Sequence, residues 1–230
     1  MRYSRYAVYY TLPDTPLDRF CTAWLGWNAK TGERSGPPEP EIEGLPKPAH
    51  ELTETPRKYG LHGTIKPPFR LAEGTDTASL RKALAALCAR HPAVEMTALQ
   101  LTRLGSFLAL TPTGNTEALQ ALAGRVVERL DRFRAPLTED ELARRRKARL
   151  SERQEENLER WGYPYVMEDF RFHMTLTGRL SAEELEQTRV VLLPQIATYL
   201  EAPFCIDALT LCGEDEEGRF HELHRYALAG

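Results

Sequence analysis

Cysteine is scarce in this sequence: Cys21, Cys88, Cys205 and Cys212 are the only four in 230 residues. They form no Cys-x-x-Cys pair, and three fall in apolar patterns, so they read as reduced core residues of a cytoplasmic protein. Long apolar runs are missing too. No stretch approaches the roughly 18 residues needed to cross a bilayer. Met1 to Arg5 leads straight into an alternating strand pattern, which is not the pattern of a signal peptide, and no membrane role is expected. The third absence is a basic excess. A formal net charge of −3 argues against holding long nucleic acid by bulk electrostatics, yet leaves room for a small anion held by a few placed cations. What remains is ordinary for a globular chain, with 42% hydrophobic and 27% charged residues, enough for one large domain or two intimately packed lobes.

Arg2 to Leu12, rich in Tyr and Val, predicts a strand. Thr15 then predicts an N-cap with Pro16 at the first helical position. Residues 31 to 56 hold Pro37, Pro38, Pro40, Pro46, Pro48 and Pro56, which break regular structure and predict a long loop. Tyr59 to Arg70 predicts a strand ended by Pro67-Pro68. A helix follows around Leu80, Leu84, Leu87 and Cys88, then a hairpin over 94 to 111 and a helix capped by Asn115. Thr138 and Glu141 have capping-box spacing and open a charged helix to about Trp161. Its Asp140–Arg144 and Glu141–Arg145 spacings predict i,i+4 pairs on a solvated face, the alternative being that Arg144, Arg145, Arg146, Lys147 and Arg149 form a substrate-binding basic patch. Phe170 to Thr177 predicts a strand, Ser181 and Glu184 a second capping box, and 204 to 228 a closing hairpin.

Two stretches share the order strand, helix, hairpin: residues 59 to 111 and 170 to 228. Their opening strands also correspond. Tyr59 answers Phe170, Leu61 answers Phe172, His62 answers His173, Thr64 answers Thr175 and Ile65 answers Leu176, as an internal duplication would leave them. Side chains alternate along a strand. Tyr59, Leu61, Gly63 and Ile65 therefore share an apolar face, opposite His62, Thr64 and Lys66. Phe170, Phe172, Met174 and Leu176 share another, opposite Arg171, His173, Thr175 and Thr177. With 6 histidines about 0.5 His-x-Thr occurrences are expected by chance, and two followed by Ile or Leu far less often. Two polar faces built alike point to one site assembled from both repeats.

The residue types suit phosphoryl chemistry. Histidine, with an unperturbed pKa near 6.5, can take a proton from a nucleophile or give one to a leaving oxygen. A hydroxyl two residues along the strand points the same way and can donate to a non-bridging phosphate oxygen. Lys66 and Arg171, on the same faces, would add positive charge for substrate phosphate. His221 and His224 are three apart, which in a regular strand places them on opposite faces, and no further ligand set accompanies them, so no metal or other cofactor is expected.

Tyr59 to Phe69 (YGLHGTIKPPF) and Phe170 to Gly178 (FRFHMTLTG) resemble the paired signature of the two-histidine (2H) phosphoesterase superfamily. More narrowly they resemble its bacterial branch found with phosphonate-degradation genes, a DUF1045-like family of unknown function. The resemblance covers nearly the whole chain. It implies an α+β fold over residues 1 to 230, bilobal and pseudo-duplicated, with two antiparallel sheets flanking a central cleft and helices outside. It implies cyclic phosphodiesterase or related 2′,5′-phosphodiester chemistry without metal, with His62 and His173 as the acid/base pair and Thr64 and Thr175 as phosphate-binding hydroxyls. The family context points to a small ribose cyclic phosphate as substrate. RNA ending in a 2′,3′-cyclic phosphate is an alternative, as is a non-catalytic nucleotide- or RNA-binding module on the same scaffold. The proline loop and the charged helix are not part of the minimal pattern. The sequence does not specify an oligomeric state.

Overall fold

The chain opens on β1 (Arg5–Tyr10), whose Tyr- and Val-rich run is buried on both faces. The Thr15 hydroxyl then accepts the Asp18 amide at 3.2 Å and Pro16 starts α1 (Pro16–Leu25), which ends where Gly26 turns to φ 75°. That positive φ is readily adopted only by glycine. In this computed structural model residues 3–37 and 42–230 are described. Met1, Arg2, Pro38 and Pro40 of the sequence reading lie outside the described residues.

The rest of the proline loop carries a short helix, α2 (Ala49–Leu52), and a 3-10 turn at Pro56–Tyr59. Arg57 ties this segment down by donating to Leu25 O at 3.0 Å and His50 O at 2.6 Å. The first repeat follows as β2 (Gly63–Phe69), α3 (Thr77–Cys88), β3 (Val94–Met96), β4 (Ala98–Leu104) and β5 (Phe107–Thr113). A linking segment contains α4 (Glu117–Leu130), α5 (Glu139–Arg146) and α6 (Glu152–Trp161). The second repeat is β6 (Met174–Thr175), α7 (Ala182–Ile196), β7 (Phe204–Ile206), β8 (Ala208–Glu214) and β9 (Phe220–Ala227). The element orders of the two repeats are identical.

The class is α+β, with two antiparallel sheets. One has seven strands in the order β4-β5-β6-β2-β1-β8-β9, and the other pairs β3 with β7. The hairpin of the first repeat pairs with the opening strand of the second, while the hairpin of the second reaches the opening strand of the first through β1. The helices cross over in the same sense: α3 packs on β8 and β9, and α7 on β4 and β5. At the junction of the halves β2 meets β6 with Gly63 opposite Met174, the residues that follow the two histidines. Equivalent positions thus face each other, as a local two-fold axis requires. Gly63 is needed there, because a Cβ would lie 2.2 Å from the Phe172 ring.

The main core lies on one face of the large sheet and includes Tyr6, Val8 and Tyr10 of β1, with Trp24 of α1 beneath β6. The Trp24 indole donates to Leu176 O at 2.8 Å, which pins the second motif segment to α1. Ala7 and Tyr9, on the opposite face of β1, join Cys212 and Phe220 in a small separate cluster with Tyr59 packed on it.

Three local expectations change here. First, β2 runs through Pro67-Pro68 to Phe69 and carries a bulge: Tyr9 pairs with Thr64 but Val8 with Lys66, leaving Ile65 as an extra residue. Prolines lack the N–H that a regular ladder needs, and irregularities gather where such donors are missing. The bulge reverses the alternation, so Lys66 turns to the core side with Val8. Second, the charged segment is two helices rather than one. Arg149 at φ 52° breaks it, and Ser151 with Gln154 forms a fresh capping box that opens α6. Third, β9 is bulged at Leu223, since Leu211 pairs with His224 and Cys212 with Glu222. That brings His221 and His224 to the same face instead of opposite ones. His221 Nε2 is 2.7 Å from Asp215 Oδ2, His224 packs on Tyr226, and no group of three or more His, Cys, Asp or Glu gathers as a metal site among the described residues.

Candidate active site

The cleft of interest lies over the Tyr9 face of the large sheet. It has a volume of about 810 Å³, and its walls include His62, Thr64 and Thr175 together with Tyr9, Tyr59 and Phe107. The residue before β2, His62, is fixed from two sides. Its ring packs 4.0 Å from the Tyr9 ring centroid and 5.4 Å from that of Tyr59, which itself stacks on Phe220 at 5.1 Å. Its Nδ1 lies 3.0 Å from the carbonyl of Gly60, a residue at φ 66°. A carbonyl only accepts, so Nδ1 carries the hydrogen and the neutral ring presents a bare Nε2.

His173 repeats the arrangement. Its Nδ1 lies 2.8 Å from Arg171 O, again the carbonyl two residues earlier, and its ring sits 5.8 Å from Phe107. It does not itself line the cleft, but it stands close enough that a positive charge on it would oppose protonation of His62. Burial and, to a lesser degree, that charge push the His62 pKa down to about 4, against a partial offset from the Gly60 hydrogen bond. His62 is therefore neutral at physiological pH. The alternation expected for the second motif holds: Phe172, Met174 and Leu176 are buried, while His173 and Thr175 on the other face are half-buried. Thr177, though it borders the cleft, is a buried structural hydroxyl that accepts the Leu108 amide at 3.0 Å and donates to Gly178 O at 3.0 Å.

Neither cation singled out in the sequence reaches the cleft. Lys66 is 1% exposed. Its ammonium donates to Val127 O of α4 at 3.2 Å and lies 3.6 Å from Asp131, and burial lowers its pKa to about 8. The bulge at Ile65 put it there. Arg171 is exposed, and its guanidinium curls back to donate to Glu168 O at 2.9 Å and Phe170 O at 2.7 Å.

Four other arginines line the cleft instead: Arg5, Arg144, Arg145 and Arg179. Arg5 is engaged by the Glu214 carboxylate through both Nε and Nη2. Arg144 and Arg145 come from α5, the helix read from sequence as a solvated face. The expected i,i+4 pairs do not form. Glu141 instead accepts the Thr138 amide at 2.8 Å in the capping box and binds Arg70 at 3.0 Å. Arg145 lies over the Tyr163 ring at 4.9 Å, and its Nε is buried with no hydrogen-bond partner. The legible signal was the capping box, since a glutamate used at N3 is not free for the residue four positions on.

Comparison with known proteins places these residues in a family. The family described as "Protein of unknown function (DUF1045)" matches residues 64–221. A protein of Janthinobacterium sp. (strain Marseille) named ribose 1,5-bisphosphate phosphokinase PhnN is 39% identical over 238 residues, covering 99% of this chain and 51% of that protein. One of the same name from Laribacter hongkongensis (strain HLHK9) is 31% identical over 224 residues, covering 96% and 51%. The chain therefore spans about half the length of the curated relatives it matches. Solved structures with some likeness are TT0787 of Thermus thermophilus (13% identity, TM-score 0.47, 98% of each chain) and E. coli LigT in apo form (18%, 0.46, 100% of each). With the family match spanning more than half of its residues, the chain belongs to the DUF1045 family.

Proposed function

We propose that this protein is a 2H-type phosphoesterase that opens a small cyclic phosphate of ribose, without a metal. The observation that carries this reading is the duplicated histidine arrangement. Two rings, each fixed by Nδ1 on the carbonyl two residues back, flank a two-fold junction and are each followed two positions later by a threonine. In the reaction, the neutral Nε2 of His62 takes a proton from water as the water oxygen bonds to phosphorus. Protonated His173 gives its proton to the ring oxygen as the phosphorus–oxygen bond to that oxygen breaks. The product is a phosphomonoester with a free hydroxyl, and the two histidines have exchanged protonation states. Because burial keeps His62 neutral at physiological pH, its Nε2 is free to accept the proton. Thr64 and Thr175 would donate to the non-bridging oxygens, whose negative charge grows in the transition state. The sugar assignment is supported by the name of the relatives, ribose 1,5-bisphosphate phosphokinase, borne by proteins about twice the matched length.

The test is phosphorus NMR on a panel of ribose and nucleoside cyclic phosphates, with EDTA present throughout. Ring opening by the wild-type protein, absent in the folded His62→Ala and His173→Ala variants, is the expected result. No turnover of any cyclic phosphate, or turnover unchanged in either variant, would defeat the reading.

A further inference from the structure

The cleft holds more positive charge than one phosphodiester requires. A cyclic phosphodiester bears a single negative charge, and the two threonines with one protonated histidine suffice to meet it. Arg144, Arg145 and Arg179 also border the cleft, and among the described residues no carboxylate does. Among those residues, too, none of the three has an Asp or Glu oxygen within salt-bridge distance. Arg144 and Arg179 are exposed and Arg145 is partly buried, and other partly buried arginines are paired: Arg5 by Glu214, Arg134 by Asp131, Arg225 by Asp207.

Arg145 is the informative member. It is held rather than free, because its guanidinium lies over Tyr163 and its Nε is sealed from solvent without a partner. Arg225 Nε is buried without a partner as well, but Asp207 takes its Nη2, whereas no carboxylate meets the guanidinium of Arg145, whose outer nitrogens are left for a ligand in the cleft. The local sequence keeps it unpaired: Glu141, the one carboxylate at the right helical spacing, is consumed by the capping box and Arg70. An arginine fork matches phosphate geometry and binds it with paired, charge-assisted hydrogen bonds.

We propose that Arg145 and Arg144, with Tyr163 as backing, form a second anion subsite in this cleft, and that the substrate carries a non-reacting phosphate monoester besides the phosphodiester facing the histidines. This rests on the phosphoesterase reading above, which places the reacting phosphate at Thr64 and Thr175. The dianion of a terminal phosphate would neutralise the α5 arginines and set the orientation of the sugar between the two subsites.

The experiment has a kinetic and a binding arm. Adenosine 2′,3′-cyclic phosphate is compared with its 5′-phosphorylated form as substrate. The wild type should favour the 5′-phosphorylated compound in kcat/KM by about 10- to 100-fold, the worth of one or two charge-assisted contacts. Arg144→Ala and Arg145→Gln should each cut that ratio by about tenfold or more, the latter keeping a planar group over Tyr163. Titration calorimetry with ribose 5-phosphate, which has no diester to open, judges the subsite even if nothing is turned over. The wild type should bind it, and Arg145→Gln should bind at least tenfold more weakly. Far-UV circular dichroism checks that the variants are folded. If no cyclic phosphate reacts but ribose 5-phosphate binding depends on Arg145, the subsite stands and the phosphoesterase reading fails. A wild-type preference near one, binding of ribose 5-phosphate that is absent or unchanged in Arg145→Gln, or faster turnover of an RNA oligonucleotide ending in a 2′,3′-cyclic phosphate than of any phosphorylated mononucleotide, overturns the proposal.

Discussion

Replacing Lys66 with methionine should stabilise this protein at neutral pH while sparing whatever chemistry the cleft performs. The Lys66 ammonium is buried beneath α4, and its pKa falls from 10.5 to about 8, chiefly through burial and only partly offset by Asp131. Each unit is worth about 1.4 kcal/mol, so carrying the charge costs the fold about 3 kcal/mol near pH 7. Methionine has a similar volume and no charge. It forfeits the bond to Val127 O, worth about 1 kcal/mol, while Asp131 keeps its bidentate contact with Arg134 at 2.7 and 3.1 Å. The net gain is about 2 kcal/mol, or roughly 4–8 °C in Tm for a chain of this size. The pH dependence follows from the direction of the shift. Between about pH 8 and 10.5 the unfolded lysine is protonated and the folded one is not, so wild-type stability rises through that window relative to Lys66→Met. The advantage of the variant should be full below pH 7, small at pH 9.5, and reversed above about pH 10.5, where only the lost Val127 bond remains. Urea unfolding at pH 6.5 and pH 9.5 measures both. A variant that is less stable at pH 6.5 by more than 1 kcal/mol, with the same difference at pH 9.5, would refute the argument. A folded variant that lost substrate turnover would return Lys66 to the cleft.

His62→Ala and His173→Ala should each lower kcat by roughly 10²–10⁴-fold, and the double variant by less than the product of the two, since groups acting in one step are not additive. Because His62 must be neutral to act as base, and its pKa lies near 4, the acid limb of the kcat/KM profile should fall near that pH; a limb at the ordinary histidine value would contradict the burial argument. Dialysis against EDTA should leave activity intact, and activity lost and then restored by one divalent ion would show a metal at work. Gly63→Ala would drive a methyl into the Phe172 ring 2.2 Å away, costing about 1–3 kcal/mol by overpacking; thermal melts should show partial recovery in Gly63→Ala/Phe172→Leu, and an unchanged Tm in the single variant would mean that β2 and β6 do not meet this closely.

Much of the architecture was legible along the chain because it depends on neighbours three or four residues apart. Thr15-Pro16, Thr138 with Glu141 and Ser181 with Glu184 are all helix starts in the structure, since the caps satisfy amides within one turn. The duplicated order of elements survived intact, and so did the pairing of His62 with Thr64 and of His173 with Thr175 on outward faces. The strand boundaries were less legible. The segment from Phe170 hydrogen-bonds as a strand only at Met174–Thr175, because β2 and β5 cover it over that short length.

What the tertiary structure alone decided is the charge around the site. Alternation assigns Lys66 to the face of His62, yet the register of β2 against β1 inserts an extra residue at Ile65 and sends the lysine to the core. Periodicity along one strand cannot reveal a bulge, which is a property of two strands paired. Arg171 keeps its expected side of the strand but spends its donors on nearby carbonyls. The cations that reach the cleft come instead from Arg5, from Arg179 and from α5, segments far apart in sequence from His62. Spacing assigns residues to a face only where pairing is regular, and only the placement of α5 at the cleft, with Glu141 already engaged, determines which charges are left to meet a substrate.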